Sequence, residues 1–426
     1  MLFGILYHFF EAPGAFRIRA NTASTDCGII LRNMKVCFET FGCRLNRAEA
    51  LEQEAEFAAR GWIRTEGHAD ADIIVVRGCS VTQRAQHDCE HLIEHIRRKY
   101  PLKRLVVTGC LMDKTKAFTL RKREDGSPAP VPTRTARAYL KVQDGCSGKC
   151  TFCIVPKFRG APVSVDFGEV LDKAKRFVDA GYREIVVTGC NLSLYESGGK
   201  RLPELVAALS DIAPASPGET KACRIRLGSV EPSAAAADVL DVMAERENVC
   251  RFLHIPIQSG SNRILALMGR PYAVRDIDTL VHNARQRVPG IAIGCDFITG
   301  FPGESDIDFI ATKGILSRAR FERVHVFPYS ERPGTPASAM PGAVPLDVRR
   351  ARAHELMRQA DKIRSTAARE FEGNTVEIVV EDEKRGAGWT SEYFWCSSQN
   401  LRAPRKSLAK VKVRTVDGHM LSGEPA

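Results

Sequence analysis

The sequence contains no apolar run approaching the ~20 residues needed to cross a bilayer, which argues against an integral membrane protein. No basic residue precedes the apolar stretch Met1 to Phe10, and Glu11 ends it, so it makes a weak signal peptide. Acidic residues are the scarcer charge. Lys and Arg number 62 against 51 Asp and Glu, a net +11 that favours polyanionic partners. Neither bulk fraction is unusual, with 44% hydrophobic and 27% charged residues, which excludes a mainly disordered chain. At 426 residues the chain is too long for one ordinary core, so two or three domains are expected.

Residues 1–33 read as an extension, with Met34 a candidate start. Arg17, Arg19 and Arg32 among scattered Ser and Thr faintly suggest a transit peptide. From Met34 the pattern becomes strand and helix in alternation. Val36 to Glu39, Asp72 to Val76 and Arg104 to Thr108 read as strands. Asn46 to Arg60 and Val81 to Lys99 read as the helices between them. Such alternation implies a parallel sheet, whose strands all end on one edge.

That edge is where cysteine becomes informative. The chain has 14 cysteines, too irregularly spaced to read as disulfide staples. Cys43, Cys79 and Cys110 each follow a strand, and each has glycine just before it. The fold should bring these three thiols together, and glycine lets backbone approach a bulky ligand. Free cysteine also packs well as a small buried residue. Three Gly-Cys pairs in successive strand-end turns point instead to metal, an iron–sulfur cluster with one open iron or, on spacing alone, zinc.

A second triad is compact. Cys146, Cys150 and Cys153 are separated by three and two intervening residues, after a strand over Tyr139 to Val142. Three cysteines in one loop can ligate three corners of a four-iron cluster. Zinc would want a fourth ligand nearby, and no His or Cys lies between Cys153 and Cys190.

Downstream, Glu184 to Thr188, Cys223 to Leu227, Arg251 to Ile255, Ile291 to Ile298 and Arg323 to Phe327 read as further strands. With helices such as Phe167 to Asp179 and Asp306 to Arg320 between them, they predict a partial (β/α)6 barrel. Gly189, Asn191, Ser229, Glu231 and Gln258 fall at strand ends, where they could bind a nucleoside or an amino acid group. Cys190, Cys223, Cys250 and Cys295 read as core. Leu346 to Phe371 reads as a long Arg-rich helix. Thr375 to Val380, Tyr393 to Cys396 and Ala409 to Arg414 read as strands of a small β domain. No acidic residue occurs from Tyr393 to Val416, while Arg402, Arg405, Lys406, Lys410, Lys412 and Arg414 are basic, a run suited to RNA phosphates. Tyr393, Phe394 and Trp395 could stack a base or form an ordinary core.

Taken together, these stretches resemble the radical S-adenosylmethionine tRNA methylthiotransferases. The resemblance rests on Phe41-Gly42-Cys43-Arg44-Leu45-Asn46, Gly78-Cys79-Ser80-Val81-Thr82, Thr108-Gly109-Cys110 and Gln143 through Cys153 with Arg159-Gly160. His254 to Gly260, Met268-Gly269-Arg270 and His325 to Thr335 extend it. Thr82 and the Tyr329 to Thr335 stretch look most like the branch acting on N6-threonylcarbamoyladenosine.

The resemblance implies an α/β fold in several parts: 34–113 as amino-terminal domain, 114–136 as linker, 137–345 as barrel, 346–372 as connecting helix and 373–426 as a TRAM-like β-barrel. It implies two 4Fe-4S clusters, one on Cys146, Cys150 and Cys153 that cleaves S-adenosyl-L-methionine and an auxiliary one on Cys43, Cys79 and Cys110 that carries sulfur. Phe152 would pack near the cofactor's adenine. The expected partners are tRNA, an electron donor such as flavodoxin or ferredoxin, and a sulfur source, with no membrane; the expected compartment is the cytoplasm. The implied reaction replaces hydrogen at adenine C2 with a methylated sulfur. The rival readings are isopentenyladenosine or a ribosomal protein as substrate, a non-catalytic iron–sulfur RNA-binding protein, and a zinc-binding RNA module. The stretch from Leu111 to Ala138 departs from the family pattern. Its Ser127-Pro128-Ala129-Pro130-Val131-Pro132 reads as linker, so the amino-terminal domain is expected to be trimmed.

Overall fold

The computed structural model describes residues 34–111, 131–132, 134–213 and 223–426. The expected extension over 1–33 and most of the expected linker lie outside the described residues. The last residues of that linker are packed against the barrel: Val131 lies against its core and the Pro132 carbonyl accepts from Tyr182.

The amino-terminal layer runs β1 (Lys35–Thr40), α1 (Arg44–Ala59), β2 (Ile63–Arg64), β3 (Ile73–Gly78), α2 (Gln83–Lys99) and β4 (Arg104–Gly109). The strands form a parallel sheet in the order β2-β1-β3-β4. The central strand β3 is covered on both faces, which is why Ile73 to Val76 is an unbroken apolar run. Helix α2 starts where the Thr82 hydroxyl accepts from the Ala85 N–H at 3.2 Å. It buries Cys89, Ile93 and Ile96, a stripe at helical spacing.

Six parallel strands make the large barrel. In chain order they are β5 (Ala138–Lys141), β8 (Glu184–Thr188), β11 (Arg224–Leu227), β12 (Phe252–Gln258), β13 (Ala292–Thr299) and β14 (Arg323–Pro328). Two short hairpins, β6 (Gln143–Asp144) with β7 (Val163–Ser164) and β9 (Glu196–Ser197) with β10 (Lys200–Arg201), decorate its early loops. The helices are α3 (Val155–Arg159), α4 (Phe167–Asp179), α5 (Leu202–Ser210), α6 (Ala234–Glu245), α7 (Asn262–Leu267), α8 (Val274–Arg287) and α9 (Asp306–Ala319). Strands β5, β8 and β11 form one sheet and β12, β13 and β14 another; lone bridges at Ile225–Val249 and Ser229–His254 join them. Alternation sorts the side chains. Leu140, Ile185, Val187, Ile225, Ile255 and Phe297 point outward into the core under the helices. Tyr139, Val186, Arg226, His254, Asp296 and His325 point into the lumen. Helix α1 seals the open side along β5, where Ala48 and Leu51 pack on Tyr139 and Val186.

The long helix α10 (Leu346–Arg369) follows. Its arginines include structural ones: Arg349 and Arg352 are buried against Glu331, Glu304 and Asp306. The carboxyl-terminal strands β15 (Thr375–Asp382), β16 (Ala387–Thr390), β17 (Trp395–Ser397), β18 (Leu408–Asp417) and β19 (Met420–Pro425) close into a barrel in the order β15-β16-β17-β19-β18. Its core takes in Phe252 and Ala292 from the base of the large barrel and Ala367 and Ala368 from α10, so the two barrels share apolar contacts.

Two sequence expectations change here. The strand expected from Tyr393 begins at Trp395, and Tyr393 sits at φ 71°, aimed inward. Tyr393 and Phe394 are buried, so neither is placed to stack a base. Strands β16 and β19 lie outside the strands expected from the sequence, and both pair with their neighbours in the barrel.

Candidate active site

The amino-terminal triad sits on the sheet edge where β1, β3 and β4 end. Cys79 and Cys110 are buried and Cys43 is exposed. Burial, with smaller contributions from the neighbouring Cys110 and Cys43 sulfurs, pushes the Cys79 thiol up to about 11. Gly42, at φ +96°, lies directly against Cys79; a Cβ there would come within 2.8 Å of the sulfur. Asn46 ties the turn together by donating to the Phe41 and Gly78 carbonyls at 2.9 and 2.8 Å. The Ser80 hydroxyl donates to the Cys110 carbonyl at 2.7 Å.

The compact triad occupies the loop between β6 and α3, at the mouth of the large barrel. The Gly148 N–H lies 3.2 Å from the Cys146 sulfur. Burial raises the Cys150 thiol and pushes Cys153 up to about 11. Among the described residues, the compact groups with all ligand atoms within 4.8 Å are Cys37–Glu39–His68 and His254–Asp296–His325, and neither cysteine triad is one of them. A tetrahedral zinc holds its thiolates only about 3.8 Å apart, given Zn–S bonds of about 2.3 Å. A structural zinc would also need a fourth protein ligand beside each triad. All-sulfur donors in threes, with one corner left free, fit a four-iron cluster.

Two arginines connect these thiols to the rest of the molecule. Arg159, at the end of α3, places Nε 3.3 Å from the Cys110 sulfur. Its other nitrogens donate to Asn46, Glu49 and Asp144. This one side chain, anchored one helix beyond the compact triad, reaches the amino-terminal triad. Glu49 and Asp144 are buried enough to raise their pKa, yet Arg159 and Lys141 hold both below the usual carboxylate range. Arg270 places Nη1 3.0 Å from the Cys150 sulfur and pairs with Glu231. Both arginines lie inside the motifs that carry the family resemblance, with sulfur partners distant in sequence. The legible signal was a fixed charge amid glycine and apolar neighbours, close to cysteine.

The expected cofactor residues gather at the same mouth. The Asn191 N–H donates to Gln143, and its side-chain amide lies 3.9 Å from the Cys146 sulfur. Gly189 lies against Gln143. The Glu231 N–H donates to Ser193 at 3.0 Å, and Ser229 is exposed beside it. Gln258 ends β12 at φ 70°. Phe152 is half-buried, edge-on to Phe301. Cys190 lies 3.4 Å from Asp144, and burial pushes its thiol up to about 12. Of the basic run, Arg402, Arg405 and Lys410 are exposed and Lys412 is half-buried. Lys406 instead lies over the Tyr182 ring at 3.8 Å, a contact between the two barrels.

The Radical SAM superfamily profile matches residues 140–314, and that of the uncharacterized protein family UPF0004 matches residues 35–126. The threonylcarbamoyladenosine tRNA methylthiotransferase MtaB of Bacillus subtilis is 30% identical over 89% of this chain and 93% of that protein. The chain belongs to the radical S-adenosylmethionine methylthiotransferase family. The tRNA-2-methylthio-N(6)-dimethylallyladenosine synthase of Aquifex aeolicus is also 30% identical, over 92% of this chain and 98% of its own. A radical S-adenosylmethionine methyltransferase of known structure, TsrM from Kitasatospora setae, superposes with a TM-score of 0.51 at 14% identity. That match covers 72% of this chain and 77% of TsrM, and shows the fold alone. Family membership implies a 4Fe-4S cluster and S-adenosylmethionine. Among the described residues, no helix is long and apolar enough to cross a membrane.

Proposed function

We propose that this chain converts N6-threonylcarbamoyladenosine beside the anticodon of tRNA to its 2-methylthio derivative. The observation that carries the reading is the pair of open thiol triads linked through Arg159. Cys146, Cys150 and Cys153 would hold the cluster of the radical core; Cys43, Cys79 and Cys110 would hold a second. When bound, the clusters and S-adenosylmethionine supply reductive cleavage, sulfur and a methyl group. The chain's own residues orient and enclose. Arg270 and Glu231 set the wall next to Cys150, and Asn191, Gly189, Ser229 and Gln258 offer hydrogen-bonding edges around the mouth. Phe152 offers a flat apolar face. Arg159 holds α3 against α1 through Asn46 and Glu49, which keeps the two triads in register. The carboxyl-terminal barrel reads as a TRAM-like domain that grips tRNA phosphates with Arg402, Arg405 and Lys410, in the cytoplasm, with flavodoxin or ferredoxin as reductant and a separate sulfur source.

MtaB supports the threonylcarbamoyl substrate; the equally identical dimethylallyladenosine synthase favours the isopentenyl alternative. Anaerobic reconstitution tests the clusters, with about eight irons expected per chain and about four after Cys43, Cys79 and Cys110 are changed to Ala. Mass spectrometry of nucleosides from tRNA treated with the holoenzyme tests the substrate. Methylthiolation of isopentenyladenosine alone overturns the substrate assignment, and four irons in the unaltered protein overturns the second cluster.

A further inference from the structure

The lumen of the large barrel is lined differently on its two sides. Lumens of parallel barrels are ordinarily filled with packed side chains. On β14 the outward residues Val324 and Val326 pack on the core, while the lumen-facing His325 and Phe327 are exposed, His325 by 44% at its side chain and Phe327 by 42%. An exposed imidazole and an exposed phenyl ring, two residues apart on an inner wall, leave room for a guest.

Behind His325 stands a fixed polar set. Its Nδ1 lies 3.0 Å from Asp296 Oδ1 on β13, and His254 Nε2 on β12 lies 3.0 Å from the same oxygen. Burial alone would raise Asp296, but His254 and His325 hold it below the usual carboxylate range, so it accepts from both rings. Gly294 makes space for this: a Cβ there would come 2.7 Å from His254 Nδ1. The two 3.0 Å contacts place an imidazole on each side of Asp296 Oδ1. With Nδ1 engaged, the Nε2 edge of His325 is left for a ligand. The set is close to the reaction mouth: the His254 carbonyl accepts from the Val230 N–H at 2.9 Å, one residue from Glu231, the partner of Arg270 at Cys150.

We propose that the His254–Asp296–His325 set selects the substituent on N6 of the target adenine, with His325 contacting its polar groups and Phe327 lying against the base. The inference rests on the threonylcarbamoyl reading above. C2 and N6 diverge from the adenine ring, so a base that offers C2 to the thiol-bearing mouth sends its N6 group elsewhere in the lumen. A threonylcarbamoyl group brings a urea, a hydroxyl and a carboxylate, each able to bond an imidazole edge. An isopentenyl group brings none, and would strip water from His325 without replacing its hydrogen bond.

The test is binding rather than turnover. Reconstituted holoenzyme is titrated anaerobically with anticodon stem-loop RNA carrying N6-threonylcarbamoyladenosine or N6-isopentenyladenosine, and the ratio of the two Kd values is taken. The unaltered protein should prefer the threonylcarbamoyl RNA, and His325→Leu should shrink that preference about tenfold. Asp296→Asn, which keeps the shape and removes the charge behind the ring, should shrink it by a smaller factor. If His325 matters only for packing, both Kd values move together, the ratio holds, and the inference falls while the substrate reading stands. If the unaltered protein shows no preference or the opposite one, the substrate reading falls and takes the inference with it.

Discussion

The large barrel has arginines at both ends; both groups pair with carboxylates, and those at the mouth also face thiol sulfurs. At the base, Arg224 and Arg226 pair with the fully buried Glu184 and donate to the Glu377, Trp389, Thr390 and Ser391 carbonyls of the small barrel. Arg44 and Arg137 donate to the Tyr393 hydroxyl at 3.0 and 3.3 Å, and Arg226 and Arg323 lie over its ring. At the mouth, Arg159 and Arg270 point nitrogens at thiol sulfurs, which are weak acceptors until they are ionised. A strong donor against a good acceptor finishes a structure. The same donor against a poor one is completed only when a thiolate is made, as metal binding does. This contrast separates the architectural arginines from those of the reaction site more sharply than burial does, because both groups are buried.

The largest expected effect lies at the base. Glu184→Gln leaves Arg224 and Arg226 in the interior without their counter-charge. Breaking one partner of a buried ion pair costs about 3–5 kcal/mol. Urea denaturation of the variant should show a loss of that size. A loss under about 1 kcal/mol would mean that the carbonyls alone satisfy these arginines, and that the base is no more committed to structure than the mouth.

Next in size is the pH response of Tyr393. Burial raises its phenol, but Arg44, Arg137 and Arg226 outweigh it and bring the folded value from 10.0 to about 8. A depressed acid stabilises the fold where it is ionised in both states, above pH 10, and the contribution fades as pH falls through 8. Relative to Tyr393→Phe, the unaltered protein should therefore gain stability from pH 7.5 to 9.5, by roughly 1.7 kcal/mol. Matched denaturation curves at the two pH values read this directly. A constant difference between the proteins would leave Tyr393 as an ordinary stacked aromatic on Phe252 and Trp389.

What could be seen in the sequence follows the range of the interactions. The thiol triads were legible because each cysteine sits in its own strand-end turn, and local pattern places strand ends. Helix α4 (Phe167–Asp179) and strand β8 (Glu184–Thr188) were legible to the residue, since Asp166 caps one and an unbroken apolar run defines the other. The inward turn of Tyr393 was not, because what holds it is Arg44, 349 residues away. The roles of Arg159 and Arg270 were hidden for the same reason, as their sulfur partners lie 49 and 120 residues distant. Residue type showed that positive charge was plentiful, but only the packing shows what each charge faces.

The smallest effect sharpens that last point inside the small barrel, where Arg402 and Lys406 belong to one basic run and meet different surroundings. Arg402 is exposed, and its side chain donates to the nearby Gln399 carbonyl. Lys406, at φ 77°, lies over Tyr182, and burial holds its amine below the usual lysine range. A cation that neutralises a phosphate releases counterions, and each such contact contributes about 0.7–0.9 to the slope of log K against log salt. Arg402→Ala should lower the tRNA-binding slope by about that amount. Lys406→Ala should leave the slope within about 0.2 of the unaltered protein, because an ammonium already committed to a ring face releases no counterion on binding. Binding isotherms at four salt concentrations resolve the two. If Lys406→Ala flattens the slope as much as Arg402→Ala, then the contact with Tyr182 opens when tRNA arrives, and the seam between the barrels is part of the RNA surface.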